Sequence, residues 1–280
     1  MLSGNDSNAT RLTSPPRDVA SVVDGGAPEP SLIPHGQPPA YFTFAALSRL
    51  GVPHATTTRH CPGVLSFAEP ISPANPSPPF RADAVTALAR AGLDLARVAY
   101  AKQVHGAAVA RVTGGGFAGI ADGLVTTARG VPLAIFTADC LAIVLYDPAV
   151  PALGAVHVGW RGTVQGAAQA AVVALEALGA RARHLHAAIA PSIGPCCYEV
   201  DEPVIGPLSA AYDGWQAWAR PVGRDRFMLD LWAANETLLA HAGLDPARIE
   251  NPRRCTACTE DLYSYRKGNR GRLATVAALP

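Results

Sequence analysis

Apolar positions are unevenly spread along the chain, and their spacing predicts where strands and helices fall. The runs 133–136 and 141–145 are apolar at nearly every position, the pattern of strands buried on both faces. Around them, Val98 to Val104, Ala107 to Val112, Gly123 to Thr127 and Gly154 to Val158 read as further strands separated by Gly, Pro or Asp turns. Tyr41 to Phe44, Ala55 to Arg59, His186 to Ile189, Leu262 to Tyr265 and Leu273 to Leu279 complete the predicted strand set. Helical spacing replaces alternation from Asp83 to Leu93, brought to an end by Gly92. It returns from Gly162 to Leu178, where Val164, Val172, Val173, Leu175 and Leu178 supply an apolar face. Two more helices are expected around 201–212 and 230–242, the second with Asp230 as N-cap. Residues 62–80 are rich in Pro and Ser and read as a loop. Strands in runs with helices inserted between them predict a mixed α/β (α+β) layer fold, not a regular βαβ alternation.

The first 38 residues fit neither template. Ser14-Pro15-Pro16, Gly25-Gly26-Ala27-Pro28-Glu29-Pro30 and Pro38-Pro39 break any apolar period, which predicts a disordered tail ahead of a single domain over 39–280. No apolar core of a secretory signal follows Met1. The longest apolar stretch, 131–160, is interrupted by Asp139, Asp147, Pro148 and Pro151 and cannot span a bilayer. A net charge of +1 with 16% charged residues leaves no footprint for nucleic acid or a membrane surface. The expectation is a soluble, cytoplasmic protein acting on a small molecule; no pattern assigns an oligomeric state.

Chemistry concentrates at three residues. His105 lies in Lys102-Gln-Val-His-Gly106, Cys140 in Thr137-Ala-Asp-Cys140 and His157 in Ala155-Val-His-Val-Gly-Trp-Arg-Gly162. Two imidazoles and a thiolate suit Zn²⁺, and three protein ligands leave a fourth position for water, as catalytic sites do. Each candidate ligand lies at or beside a predicted strand end, where rigid elements can aim side chains at one ion. Asp139 is a candidate proton acceptor or orienting carboxylate, with closure of the turn between two strands as the competing role. Arg161 precedes the expected 162–178 helix, where an anion would meet a helix start, against an ordinary surface ion pair. Arg59 is a weaker anion-binding candidate, and Gln103 could hydrogen-bond a heteroaromatic base or merely finish a strand edge. Asp122-Gly123 reads as a turn. Cys255-Thr-Ala-Cys258 lacks the second Cys-x-x-Cys pair of a zinc ribbon, so with Cys196 and Cys197 it reads as reduced thiols near a turn.

Six motifs in order resemble the YfiH-like laccase-domain family, also called polyphenol oxidase and purine nucleoside phosphorylase. They are Lys102 to Gly106, Ala121-Asp-Gly-Leu-Val125, Thr137 to Cys140, His157 to Gly162, Gly194-Pro-Cys-Cys-Tyr-Glu199, and Ser264-Tyr-Arg266 with Gly271-Arg272. The resemblance covers roughly residues 41–279 and implies packed mixed sheets flanked by helices, roughly α/β/β/α in layers. It implies zinc on His105, Cys140 and His157. It also implies phosphorolysis of adenosine, inosine, guanosine and methylthioadenosine, with deamination of adenosine. The chain departs from the family pattern at His60-Cys-Pro-Gly-Val-Leu-Ser-Phe67 and at Arg81-Ala-Asp-Ala84. Copper-dependent phenol oxidation is disfavoured, because among eight histidines His184-Leu-His186 is the sole His-x-His pair. Two competitors stand: a peptidoglycan-editing amidase using Cys140 with His105 or His157, and a non-catalytic zinc-stabilised binding module.

Overall fold

Leu141–Asp147 and Ala152–Val158 are buried along their whole length and pair antiparallel at the centre of a six-stranded sheet. The computed structural model describes residues 31–66 and 69–280. In that sheet the order runs Ile249–Glu250, His186–Ile189, Leu141–Asp147, Ala152–Val158, Gly123–Thr126, Val109–Arg111. A second, seven-stranded sheet runs Leu32–His35, Tyr41–Phe44, His54–Thr57, Leu273–Ala277, Leu133–Thr137, Ala99–Lys102, Gly116–Ile120. Both sheets mix parallel and antiparallel pairs.

The continuous apolar runs are explained by two-sided burial. From Leu141–Asp147, Ala142, Val144 and Tyr146 point into a core shared with Leu133 and Ile135 of the other sheet. The alternate residues Leu141, Ile143 and Leu145 pack against Ala171, Val172 and Leu175 of helix Ala167–Glu176 and against Leu238 and Leu239 of helix Leu231–His241. On the far side, Ala134 and Phe136 meet Ala84 and Leu88 of helix Ala82–Ala89. The layers are therefore helix, sheet, sheet, helices, as the α+β expectation holds. Each fully buried Leu or Ile contributes about 1.5–3 kcal/mol, so these three interfaces dominate stability.

Several boundaries move. Residues 1–30 of the expected tail lie outside the described residues, but Leu32–His35 pairs with Tyr41–Phe44, so the tail does not extend to residue 38. The expected helix from Gly162 to Leu178 is two helices, Trp160–Val164 and Ala167–Glu176, because Gly166 takes φ +74° between them. Leu262 to Tyr265 is a bend and irregular loop leading into a turn instead of a strand. Helix Leu231–His241 does start at Asp230, whose side chain accepts the Ala233 N–H at 2.9 Å. A small sheet of Glu199–Val200, Ala219–Gly223 and Arg226–Leu229 and the helix Ala45–Arg49 carry no clear apolar period in the sequence.

Candidate metal centre

Strand register brings the three expected ligands together. His157 pairs with Ala142, which sets Cys140, just before Leu141, beside the end of Ala152–Val158. Gly123 pairs with Val156, so Asp122 lies against His157 from the other side and accepts its backbone N–H at 2.7 Å. His105 follows the strand Ala99–Lys102 and belongs to a loop whose N–H groups converge on Asp122. The ligand atoms of His105, Cys140 and His157 all lie within 4.8 Å of one another. The two imidazole rings meet edge to face at 4.8 Å between centroids. His157 is buried, Cys140 half-buried and His105 exposed, so the centre opens to solvent on the His105 side.

Asp122 organises this centre, and the sequence reading missed it by taking Asp-Gly as a plain turn. Its wholly buried carboxylate accepts the backbone N–H groups of Val104 (3.2 Å), His105 (2.9 Å) and Gly106 (2.8 Å). It also accepts His157 Nδ1–H at 2.8 Å, which leaves Nε2 as the nitrogen free to bind a metal. Burial alone would raise the Asp122 pKa, but these donors outweigh it and hold the group ionised. The signal available in the sequence was the position of Asp122 at the head of a buried strand, where an unpaired carboxylate would be costly.

Backbone geometry is equally specific. His105 and Asp139 adopt φ of +63° and +92°, unusual for non-glycine residues and clustered here on either side of the centre. Gly159 must lack a side chain, since a Cβ there would sit 2.8 Å from Cys140 Sγ and 3.4 Å from the His105 ring. Burial would push the Cys140 thiol up, but His157 and His105 together bring it down to about 6. Burial would likewise lower His157, and the Cys140 and Asp122 charges raise it instead to about 9. Each group thus favours the charged form of the other, a thiolate beside an imidazolium. The donor set, its convergence and the fixed His157 tautomer fit a tetrahedral Zn²⁺-type ion.

The other candidates are held differently. Asp139 accepts the Thr256 hydroxyl at Oδ1 (2.6 Å) and the Arg266 backbone N–H at Oδ2 (2.7 Å), tying two C-terminal loops beside Cys140. Gln103 exchanges both amide groups with the Phe136 backbone at 2.8 Å each, continuing the ladder beyond Lys102. Arg161 is exposed and stacks its guanidinium over Trp160 at 4.2 Å. It does not precede the helix as expected but is the second residue of Trp160–Val164, whose five residues offer little of the field of a long helix. The contacts of Arg59 run to the 261–269 loop: Leu262 O at 2.9 Å, Asn269 Oδ1 at 3.3 Å and the Tyr263 ring. Tyr198, not singled out from the sequence, is kept in its phenol form by burial and by the nearby Cys140 and Asp139 charges.

The family model described as Multi-copper polyphenol oxidoreductase laccase matches residues 81–280. The chain belongs to that family. A Deinococcus radiodurans protein named purine nucleoside phosphorylase is 39% identical over 240 residues, 82% of this chain and 90% of its own. A protein from an unknown prokaryotic organism, named adenosine deaminase RL5, is 35% identical over 138 residues, 49% of this chain and 53% of its own. The crystal structure of YlmD from Geobacillus stearothermophilus superposes with a TM-score of 0.76 at 28% identity, covering 89% of this chain and 99% of YlmD. In this laccase-domain chain the His and Cys side chains that could hold a metal ion are His105, Cys140 and His157, none of them in a His-x-His pair. No helix among the described residues is long and apolar enough to cross a membrane.

Proposed function

We propose that the chain is a zinc-dependent purine nucleoside phosphorylase that also deaminates adenosine. The observation that carries the reading is the convergence of His105, Cys140 and His157 around a solvent-facing point, with Asp122 fixing the His157 tautomer. The names of its relatives, purine nucleoside phosphorylase and adenosine deaminase, support the choice of substrate. A zinc ion held by these residues supplies Lewis acidity and activates water for nucleophilic attack near neutral pH.

The remaining steps belong to the chain's own groups. Arg161, exposed and steadied on Trp160, is the candidate for holding phosphate, because a guanidinium matches two phosphate oxygens at once. In phosphorolysis a phosphate oxygen attacks the ribose C1′, the bond to the purine nitrogen breaks, and the purine leaves as its protonated base. In deamination water adds at C6 of adenine and ammonia departs. Tyr198, held as a phenol beside Cys140, has a proton to share with a leaving group. Asp139 braces the Thr256 and Arg266 loops around these groups. Inosine, guanosine and methylthioadenosine are the further substrates of the phosphorolytic reaction.

A second reading uses the close Cys140–His157 pair as nucleophile and base in an amidase. It requires a thiolate free of metal, so stoichiometric zinc lost on substitution of Cys140 removes it. The deciding experiment is chromatography of products from adenosine with and without phosphate. Adenine and ribose 1-phosphate formed only with phosphate, and inosine formed in either buffer, support the proposal; no nucleoside conversion refutes it.

A further inference from the structure

Cys196, Cys197, Cys255 and Cys258 are separated by about 60 residues in the sequence, yet the fold gathers them. Their four Sγ atoms lie within 4.8 Å of one another. Cys258 Sγ is 3.5 Å from Cys196 Sγ and 3.4 Å from Cys197 Sγ, and all four thiols are free. Four sulfurs bound tetrahedrally to Zn²⁺ at 2.3 Å stand about 3.8 Å apart, so the cluster already has the size of a thiolate cage. The Cys-x-x-Cys pair does have its second pair, in the form of two adjacent cysteines that no zinc-ribbon spacing predicts.

The backbone holds this arrangement without help from the sulfurs. Ser192 bridges to Cys255, with Ser192 N–H donating to Arg254 O (3.2 Å) and Thr256 N–H to Ser192 O (3.0 Å). Trp232 Nε1–H anchors the same Ser192 through its hydroxyl at 2.6 Å. Gly194 N–H points at Cys255 Sγ at 3.3 Å, a donor of the kind that stabilises a metal-bound thiolate. Gly194 also cannot carry a side chain, since a Cβ would strike the Trp232 ring at 2.5 Å. Cys255 is buried, while Cys196 and Cys258 are exposed, which gives an ion a way in.

We propose that these four cysteines form a second, structural metal site that binds Zn²⁺ as a tetrathiolate. Four protein ligands close the coordination sphere, so the site has no place for substrate and is distinct in role from the three-ligand centre. Binding replaces thiol protons with metal–sulfur bonds and releases those protons to solvent. Its consequence is mechanical: it clips the 255–258 turn to the 192–197 turn. Thr256 of the clipped turn holds Asp139, next to Cys140, so the second metal braces the first centre from behind. A disulfide would join only two of the four sulfurs and would need an oxidant.

Zinc per chain, measured by elemental analysis on full-length protein purified under reducing conditions, tests the site. Wild type should hold two zinc ions, and the pair Cys196→Ser with Cys258→Ser should hold one. Cys140→Ala should also hold one, which separates this site from the three-ligand centre and makes the test independent of the nucleoside reading. On wild type itself, maleimide should label the four cysteines only after a chelator has removed zinc, so the test stands even if the double variant does not fold. Unchanged zinc in a folded double variant, labelling of these cysteines before chelation, or a disulfide among them found by mass spectrometry would each overturn the proposal.

Discussion

Asp122 and His157 form a buried pair: the carboxylate Oδ1 accepts the imidazole Nδ1–H at 2.8 Å, and the Asp122 carbonyl accepts the His157 backbone N–H. The same carboxylate holds the N–H groups of Val104, His105 and Gly106, so one side chain positions two of the three candidate metal ligands. Asp122→Asn keeps the shape but replaces one of the two acceptor oxygens with an NH2 group, which cannot accept from the N–H donors facing it. Zinc affinity of the three-ligand centre, read by chelator competition, should fall about 10–100-fold. Affinity equal to wild type would show that the ligands orient themselves.

Gly159 makes room for the thiolate. A methyl group there would lie 2.8 Å from Cys140 Sγ, inside any normal contact. Gly159→Ala should therefore lose zinc from this centre and lose turnover with it, while circular dichroism stays native. Gly114→Ala, where a Cβ meets nothing within 4 Å, is the control and should behave as wild type. Retention of metal in Gly159→Ala would mean the thiolate can move aside.

Much of this was legible in the sequence because burial on both faces writes a continuous apolar run. That is why Leu133–Thr137 and Leu141–Asp147 are recognisable with nearly correct ends. The three candidate ligands stand out in the sequence because each lies at or beside a predicted strand end, within a short motif of its own. What escaped depends on partners distant in sequence. Asp122 looks like any Asp-Gly turn until His157, 35 residues on, pairs with it. The four-cysteine cluster is invisible for the same reason, since nothing local relates Cys196-Cys197 to Cys255 and Cys258. The break at Gly166 escaped because a single left-handed glycine does not disturb the apolar period on either side of it.

Gln103 is spliced into the strand ladder through two bonds to the Phe136 backbone. Gln103→Leu leaves those backbone groups unpaired and should cost about 1–3 kcal/mol of unfolding free energy in urea. The KM for adenosine should stay within about twofold of wild type, since a loss of 1 kcal/mol in binding would already exceed that factor. A large rise in KM with unchanged stability would return Gln103 to the substrate.

His54, at the start of strand His54–Thr57, sets a pH dependence of its own. Phe44 N–H donates to its Nε2 at 2.6 Å and its Nδ1–H donates to Val52 O at 2.7 Å, so the ring is held neutral. Burial lowers its pKa, the nearby His35 adds to this, and the two backbone bonds do not compensate. The unfolded chain then binds a proton more readily than the native one below the ordinary imidazole value. Stability from His54 is present above that value and lost as pH falls toward the depressed one. Urea midpoints measured between about pH 7.5 and 5.5, a window that brackets the ordinary histidine pKa, should fall more steeply for wild type than for His54→Gln. Parallel slopes would contradict the assignment.

The most direct test of the account pairs zinc content with adenosine turnover in phosphate buffer, for wild type and Cys140→Ala. The variant should keep its fold, bind one zinc ion fewer, and form neither inosine, adenine nor ribose 1-phosphate. A variant that retains the full zinc complement, or that turns over adenosine as wild type does, would contradict it.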